Sequence, residues 1–247
     1  MSIMSKNTIK DGALKELFKL GAHFGFSRAR RHPSTDSRIF GFKNRQAVID
    51  LEQSLKSLEE SKDFLSAIGA KGKLILLVGA KDEIKPVMAS AAMAAGLPYV
   101  NERWLGGTLT NFKEIRRRVA RLQQIREDEK TGDLDKYTKK ERGVIAQEKS
   151  RLERYFASLV PLTEIPAAMI VVDTDAESIA VAEAKKMGVP VVGIANSDCD
   201  IRGLDYVILA NDAAQASVRY FVNELVQAYR DGVEKKKEEA PAPAVAL

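Results

Sequence analysis

The amino-acid sequence predicts an α/β fold: a doubly wound, mainly parallel sheet with helices on both faces and a protruding antiparallel helical hairpin, a coiled coil. Three observations lead to this prediction. Short apolar runs bounded by glycine or proline, such as 74–79, are typical of strands buried on both faces. They alternate with segments whose apolar residues recur at helical intervals. Between 110 and 158, two long helical segments interrupt the alternation, and their narrow apolar stripes favour a hairpin that projects from the sheet.

The elements of the first half follow from periodicity and from the positions of glycine and proline. They are a helix over 8–20, a long ordered loop over 21–50 whose end forms a hairpin with a Lys43-Asn44 turn, a helix over 51–68, a strand over 74–79, a helix between Pro86 and Gly96, and an extended piece over 97–101. The segment 21–50 is rich in Gly, Ser, Arg and aromatic residues and has Pro33 within it, which favours a loop over a helix.

The second half contains the hairpin and the rest of the sheet. It comprises two helices within 110–158 joined by a turn at 131–133, a strand over 168–172, a helix over 178–187 that Gly188 stops, strands over 189–195 and 206–209, and a final helix capped by Asn211 or Asp212 that runs to about Tyr229. Thr138 and Glu141 have the spacing of a capping box at the start of the second hairpin helix.

This order of elements predicts four regions along the chain. Residues 1–108 form the first part of an α/β domain with the N-terminal helix and a basic loop, 109–160 the hairpin insertion, 161–232 the second part of the α/β domain, and 233–247 a disordered tail of low complexity. The insertion ends where Pro161 and Pro166 stop the second hairpin helix.

Composition excludes several classes of protein. With 45% hydrophobic and 30% charged residues in 247, the chain is neither disordered throughout nor collagen-like. No apolar run reaches the ~18 residues of a membrane helix, so no membrane partner is expected. The N-terminus lacks the basic and then apolar pattern of a secretory signal. Cys199 is the only cysteine, which excludes an intrachain disulfide. We therefore expect a cytoplasmic protein.

The net charge of +5 conceals a strong asymmetry along the chain. Residues 21–50 contain six basic and two acidic residues, and 103–126 contain seven basic residues against one acid, Glu114. Residues 159–234 contain five basic and twelve acidic residues. Such a division predicts one face for a polyanion and a different role for the acidic third.

Motifs of enzymes are missing from the sequence. It has neither of the glycine-rich phosphate-binding motifs and no G-x-S-x-G nucleophile elbow. The segment 79–82 follows a strand where such folds place ligands, but a plain turn explains it better. His23 and His32 are the only histidines, and we expect packing or RNA contact of both. We predict no catalytic residue, no cofactor and no metal.

Aspartates near the predicted strand ends could make only an oxygen-based ion site, and turn formation or helix capping explains most of them. They are Asp173, Asp175, Asp198, Asp200 and Asp205, and the sequence leaves open whether Asp198, Asp200 or Asp212 holds an ion. Flanking aspartates are expected to raise the pKa of the Cys199 thiol, which argues against a nucleophile.

Basic residues give the stronger signal. In 27–33, three arginines lie close to Phe24 and Phe26, and arginine forks match phosphate oxygens while aromatic rings stack on unpaired bases. A second basic stripe follows Trp104, which is predicted to plug the base of the hairpin. A basic stripe by itself indicates a polyanion and does not separate RNA from DNA or an anionic membrane, although the narrow apolar stripe of the hairpin disfavours membrane insertion. Taken as RNA contacts, the predicted RNA-binding residues are Arg28, Arg30, Arg31, His32, Arg38, Lys43, Arg45, Arg103, Lys113, Arg116, Arg117 and Arg121.

Five blocks together resemble the bacterial ribosomal protein S2 family of the small ribosomal subunit. They are GAHFGFSRARRHP, IFGFKNRQAVIDLE, VNERWLGGTLTNFKEIRRR, VVDTDAESIAVAEAKKMGVPVVGIANSDCD and VILANDAAQASVRYF. The resemblance extends over nearly the whole chain except the tail. The resemblance implies a non-catalytic protein that binds small-subunit ribosomal RNA beside neighbouring ribosomal proteins. Carried over to matching positions, it implies RNA contacts at Arg28, Arg30, Arg31, His32, Arg103, Lys113, Arg116 and Arg117.

The chain departs from the family pattern at a cluster that some relatives use for zinc. Phe26 stands where many relatives have a second histidine, Asn196 where they have aspartate, and Ala213 where they have the second of two aspartates. With these ligands missing, we expect no such metal. Members of the family also help to anchor the large ribosomal protein S1 in many bacteria, and the same departures weaken that expectation here. Ser178 and Ile201 also depart from the pattern and threaten neither the fold nor the RNA surface.

Two other classes of function remain as alternatives. An α/β enzyme that binds a nucleotide or sugar phosphate at the strand ends is supported by fold analogy alone. A free RNA-binding regulator or helicase-like accessory protein would share the basic surface. Sedimentation with small subunits separates a ribosomal protein from both.

Overall fold

The computed structural model describes residues 12–239, with side chains to 236, and two sheets organise the chain. Residues 12–19 are helical and form α1. The remaining elements are β1 Phe24–Ser27, β2 Ile39–Lys43, β3 Gln46–Ile49, α2 Leu51–Ala70, β4 Ile75–Val78, α3 Lys85–Ala95, β5 Tyr99–Val100, α4 Phe112–Thr131, α5 Lys139–Phe156, β6 Ala168–Val172, α6 Ser178–Met187, β7 Val191–Ala195, β8 Tyr206–Leu209 and α7 Gln215–Glu239. Short 3-10 turns lie at Pro33–Arg38, Asp133–Lys136 and Ala157–Leu159.

The larger sheet has five parallel strands in the order β5-β4-β6-β7-β8, which confirms the predicted α/β fold. Its strands are apolar on both sides, and successive residues alternate between two cores. Leu77 and Ile170 pack against α2, α3 and α7 on one face. Leu76 and Met169 pack against α4, α5 and α6 on the other. Helices therefore cover both faces, and the carboxyl ends of all five strands meet at one edge.

Helices α2 and α7 pack closely because each places a glycine in the contact. A Cβ at Gly69 would clash with the backbone oxygen of Tyr229, and one at Gly232 would clash with the backbone oxygen of Ser66. Glycines in helices weaken them by about 1 kcal/mol each relative to alanine. Here the close approach of the two backbones explains their presence, which helical spacing alone does not indicate.

The smaller sheet is antiparallel, in the order β1-β3-β2, and lies within the segment predicted as a long loop. Its hairpin turn lies at Asn44 and Arg45, both at positive φ (51° and 66°), one residue beyond the predicted Lys43-Asn44 turn. The sequence prediction did not include β1. Ile49 on β3 packs against Ala195 and Leu209 of the large sheet, and this contact joins the two sheets.

The two long helices of the insertion are α4 and α5, and the predicted capping box of Thr138 and Glu141 is present. Their apolar residues share the core that covers one face of the large sheet. Two ion pairs join the helices: Arg121 lies 3.0 Å from Glu148, and Arg126 lies 3.3 Å from Glu153. The arrangement of this pair as a protruding antiparallel coiled coil stays a prediction.

The final helix differs from its prediction at both ends. It begins at Gln215, and neither Asn211 nor Asp212 caps it. The Asn211 side chain accepts from the backbone N–H of Ala213 in the preceding turn, and the Asp212 side chain accepts from the Asn196 amide. It continues to Glu239, ten residues past Tyr229 and into the predicted disordered tail. Val233 packs against the core there, which explains the extension. Of the predicted first helix and tail, 8–11 and 240–247 lie outside the described residues.

No helix within residues 12–239 is both long and apolar enough to cross a membrane.

Candidate nucleic-acid interface

The segment 24–38, called the arginine loop below, is held by hydrogen bonds to one residue after β7. The hydroxyl of Ser197 accepts from the backbone N–H of Phe26 at 2.8 Å. The carbonyl of Ser197 accepts from the backbone N–H of His32 at 2.9 Å and from the Thr35 hydroxyl at 3.0 Å. Ser197 and Thr35 are fully buried. The backbone of the loop is therefore fixed, although its arginines face outward.

Aromatic rings support the guanidinium groups of this loop. The Arg30 guanidinium lies 4.5 Å from the centroid of the Phe26 ring. Those of Arg28 and Arg31 lie 5.3 and 5.6 Å from the centroid of the Phe42 ring. A ring beneath a guanidinium restricts it while its in-plane N–H donors stay available. The geometry therefore suits phosphate oxygens approaching from the side.

Acidic neighbours occupy part of the loop. Arg31 pairs with Asp36 at 2.8 Å and its side chain is only 25% exposed. Arg30 pairs with Asp198 at 3.5 Å but remains 66% exposed. The ring of His32 bonds the Ser34 hydroxyl at 2.7 Å, and its Nδ1 lies 3.7 Å from Asp200. Arg28 and Arg30 are therefore the freest of the three arginines, and His32 mainly shapes the loop.

The β2–β3 turn extends this surface, whereas Arg38 does not. Lys43 and Arg45 are exposed, and the Arg45 carbonyl accepts a 2.9 Å hydrogen bond from the backbone N–H of Arg28, so the turn lies beside the loop. The Arg38 guanidinium donates to the Ser57 hydroxyl at 2.9 Å and to the Val207 carbonyl at 2.8 Å. Its hydrogen bonds stabilise the contact between the small sheet, α2 and β8.

The second basic group begins with a turn, 104–110, that a single carboxylate holds. Glu183 on α6 accepts hydrogen bonds from the backbone N–H of Gly107 at 2.6 Å, of Leu109 at 3.0 Å and of Thr110 at 3.2 Å. It also accepts from the indole N–H of Trp104 at 3.3 Å. Burial raises the pKa of the Glu183 carboxyl, but these hydrogen bonds outweigh it and hold the pKa below the ordinary value.

Trp104 itself is 5% exposed, which confirms its predicted role as a plug at this base. It packs with Leu109 and Ile115 in the core beneath α4. Neither stacking on a base nor binding a ligand is open to a ring buried in this way. The turn is rigid because apolar packing fixes its ring and a buried carboxylate fixes its backbone.

Basic residues on and before α4 differ in whether their side chains form ion pairs or hydrogen bonds with other residues of the fold. Within the described residues, Arg103 and Lys113 are exposed and have no ion-pair partner. Arg117 pairs with Glu114 at 2.9 Å and is 75% exposed, so this pair is open to solvent. Arg121 pairs with Glu148 on α5. Arg116 donates to the Leu162 carbonyl at 2.8 Å and ties α4 to the segment after α5.

The predicted residues therefore form two groups. The arginine loop is bound to the connection between β7 and β8, at one side of the large sheet. The turn 104–110 follows β5, the edge strand on the opposite side. Among residues 12–239, no hydrogen bond or ion pair joins one group to the other.

Side chains of the chain itself occupy the sheet edge between these groups. The sheet order reverses between β4 and β6, where doubly wound folds bind ligands. There the Lys81 ammonium lies 3.2 Å from a carboxylate oxygen of Asp173 and 3.3 Å from one of Asp212. Buried Glu177 accepts from the backbone N–H of Ala80 at 3.0 Å. Three carboxylates in this crevice disfavour an anionic nucleotide, and nothing here supports the enzyme alternative.

In the described part of the chain, no three or more His, Cys, Asp or Glu residues come together as a metal site. Cys199 is 1% exposed, and its thiol pKa is raised to about 12. Burial is the larger cause, and the charges of Asp173 and Asp198 add to it. The pKa of the Cys199 thiol is therefore raised, as expected, but burial rather than the neighbouring aspartates is the main cause. Asp200 bonds the Arg202 guanidinium, which lowers the pKa of that carboxyl.

Sequence reasoning missed three residues that organise this surface: Lys81, Glu183 and Ser197. Glu183 could have been identified from the sequence. It lies at helical spacing from Ala180 and beside Ala184, both on the buried face of α6, where a charged residue needs a hydrogen-bond partner. No sequence pattern indicates the role of Ser197, because its partners in the loop are more than 160 positions away in the chain.

Comparison with known proteins gives one consistent result. Residues 17–232 match the family described as Ribosomal protein S2. The chain is 40% identical over 227 residues to the small ribosomal subunit protein uS2 of Mesoplasma florum, covering 92% of this chain and 85% of that protein. It is 39% identical over 234 residues to the protein of the same name from Chloroherpeton thalassium, covering 95% and 94%.

Proposed function

Because the chain belongs to the ribosomal protein S2 family, we propose that it binds small-subunit ribosomal RNA through the exposed basic side chains of the arginine loop and of the α4 base. It is a structural constituent of the bacterial small ribosomal subunit, located in the cytoplasm, and is not an enzyme. Other ribosomal proteins of the subunit are its neighbours.

One observation carries the proposal: two exposed guanidiniums lie over aromatic rings on a loop whose backbone is fixed. Arg28 lies over Phe42 and Arg30 over Phe26, so little side-chain freedom is lost when a phosphate binds. Such contacts position the protein on RNA and read little sequence. The proposed phosphate contacts are Arg28, Arg30, Lys43, Arg45, Arg103, Lys113, Arg117 and Arg121, with Arg31 and His32 at the margin of the surface.

Arg38 and Arg116 have a supporting role in this proposal. Each donates to a backbone carbonyl of a distant segment, Val207 in one case and Leu162 in the other. A guanidinium that donates to a backbone carbonyl still contributes positive charge to the surface, but it has fewer free N–H donors for RNA.

We extend the proposal to the shape of the insertion. Helices α4 and α5 share a core at their sheet-proximal ends, where Ile115 and Phe156 are buried. From 127 to 144 almost every residue is exposed, as expected for the far end of a protruding antiparallel coiled coil. We do not extend it to ribosomal protein S1, because the chain lacks family ligands at Phe26, Asn196 and Ala213.

Sedimentation in a sucrose gradient tests the proposal. A tagged chain expressed in bacteria should travel with small subunits at low salt and leave them in a salt wash, because phosphate contacts release counterions. Purified chain should also bind transcribed small-subunit RNA with an affinity that falls steeply with salt. A chain found only at the top of the gradient, with salt-independent RNA affinity, would refute the proposal.

A further inference from the structure

We infer that Lys81, which lies outside the proposed RNA contacts, is a positioning residue that holds the arginine loop in its RNA-binding geometry. The inference rests on the proposed function and deepens it. It comes from an unbroken series of hydrogen bonds that begins at the carboxyl end of β4 and ends at the backbone of the loop.

The series starts with a buried charge pair. Asp212 is 1% exposed, and its Oδ2 lies 3.3 Å from the Lys81 ammonium. Asp173, at the end of β6, accepts from the same ammonium at 3.2 Å. Burial alone would lower the pKa of Lys81, but the two carboxylates raise it above its ordinary value, so the ammonium stays charged. Lys81 thus joins the segments after β4, β6 and β8.

The second part leads from Asp212 to the loop. Its other oxygen, Oδ1, accepts from the side-chain amide of Asn196 at 2.7 Å. The Asn196 side-chain oxygen accepts from the backbone N–H of Ser197 at 2.7 Å. Ser197 in turn accepts from the backbone N–H groups of Phe26 and His32. Asn196 is 2% exposed and Ser197 is fully buried, so water cannot readily replace these partners.

This arrangement makes the ammonium essential to the position of Ser197. Without Lys81, the carboxylate of Asp212 is a buried charge whose only remaining partner in the described structure is the Asn196 amide. A buried charge without compensation is costly, so the segment must open to water or Asp212 must take up a proton. Either change alters the acceptor that orients Asn196 and, through it, Ser197.

Titration of small-subunit RNA with purified Lys81→Met tests the inference, with Lys81→Arg as the conservative variant and Lys85→Met as the matched control. Lys85 lies four residues away and pairs with exposed Asp82 and, at 3.7 Å, with Glu102. Lys85→Met therefore loses the same charge while the bonds of Lys81 to Asp173 and Asp212 remain. Ser197→Ala removes the Phe26 acceptor and leaves Lys81 intact. Affinity is measured over a salt series, and hydrogen exchange is followed at the amides of Phe26 and His32.

We expect Lys81→Met and Ser197→Ala to weaken binding roughly 2- to 30-fold, with an unchanged salt slope and partial recovery in Lys81→Arg. Exchange should speed up at both amides in Lys81→Met and chiefly at Phe26 in Ser197→Ala, because alanine keeps the backbone carbonyl that accepts from His32. Removal of a direct phosphate contact would instead lower the log–log slope by about 0.7–0.9.

Wild-type affinity with wild-type exchange in Lys81→Met would overturn the inference, as would an equal effect in Lys85→Met. If the wild-type chain itself fails to bind RNA, the proposed function fails, and the exchange data still decide whether Lys81 holds the loop.

Discussion

The Glu183 carboxylate on α6 accepts a 2.6 Å hydrogen bond from the backbone N–H of Gly107, within a turn 76 residues earlier in the chain. The same carboxylate also accepts hydrogen bonds from the backbone N–H groups of Leu109 and Thr110 and from the indole N–H of Trp104. One buried side chain therefore positions the whole base of α4.

Replacing Glu183 with glutamine should destabilise the protein by about 3 kcal/mol, because an amide cannot accept from all these donors. The folded pKa lies below the unfolded value, so the stabilisation is complete above pH 4.5 and is lost as pH falls through the lowered pKa. Urea unfolding at several pH values measures both effects. Glu127→Gln, on exposed α4 surface, is the control, and an unchanged acid dependence in E183Q would contradict the assignment.

Substituting glutamine for both Arg28 and Arg30 should weaken binding to small-subunit RNA while leaving the protein folded. Two lost phosphate contacts should lower the log–log salt slope by about 1.4–1.8. Arg219→Gln with Arg230→Gln removes the same charge from the exposed side of α7 and should leave the slope unchanged. Equal effects in both double variants would show that only net charge matters.

Arg116 and Lys113 lie on the same helix and should respond in opposite ways. Arg116→Met loses the bond to the Leu162 carbonyl and should cost about 1 kcal/mol of stability with little change in salt slope. Lys113→Met should keep the stability and lower the slope by about 0.7–0.9. Thermal melts and RNA titrations of the two variants measure the difference, and identical behaviour would argue against it.

The same Gly→Ala change should have opposite signs at two helical positions. Gly69→Ala places a methyl against the Tyr229 carbonyl, and the forced separation of α2 and α7 should cost about 1–3 kcal/mol. Gly143 in α5 has nothing within 4 Å of the added carbon, so Gly143→Ala should stabilise by up to about 1 kcal/mol. Denaturant midpoints test this, and stabilisation by G69A would refute the close packing.

Native Cys199 should resist alkylation between pH 7 and 9, because a buried thiol with a pKa of about 12 supplies almost no thiolate. Iodoacetamide labelling followed by mass spectrometry measures this. The denatured chain, in which the thiol is exposed, should react at the ordinary rate and serves as the reference. Rapid labelling of the folded protein would mean that the segment 196–201 opens readily.

Local sequence signals were sufficient for elements defined by their own residues. The predicted bounds of β6, α6 and β8 agree with the structure, since an apolar run marks each strand and Gly188, at φ 66°, ends the helix. Strand β1 was missed because it depends on pairing with β3, and its burial does not alternate. Asn211 has the character of a cap but serves the turn before α7 instead.

The sequence predicts which basic residues make up the candidate site, but not which of them the fold leaves free to bind a ligand. Arg28 and Arg38 come from one basic segment and look alike in the sequence. Only the fold shows that Arg38 meets the Val207 carbonyl, 169 positions away, while Arg28 faces solvent over Phe42. Which cation remains free depends on such distant contacts, and charge patterning does not contain them.

The long separation between Phe26 and Ser197, 171 positions along the chain, also has a consequence for protein synthesis. A growing chain emerges N-terminus first, so the arginines are made early while the residue that fixes their backbone arrives near the end. A chain that terminates before 196 carries every basic residue of the loop without its scaffold. If the arginine loop binds RNA as proposed, a fragment that ends before 196 should bind RNA more weakly than the full chain and compete poorly with it for the assembling subunit.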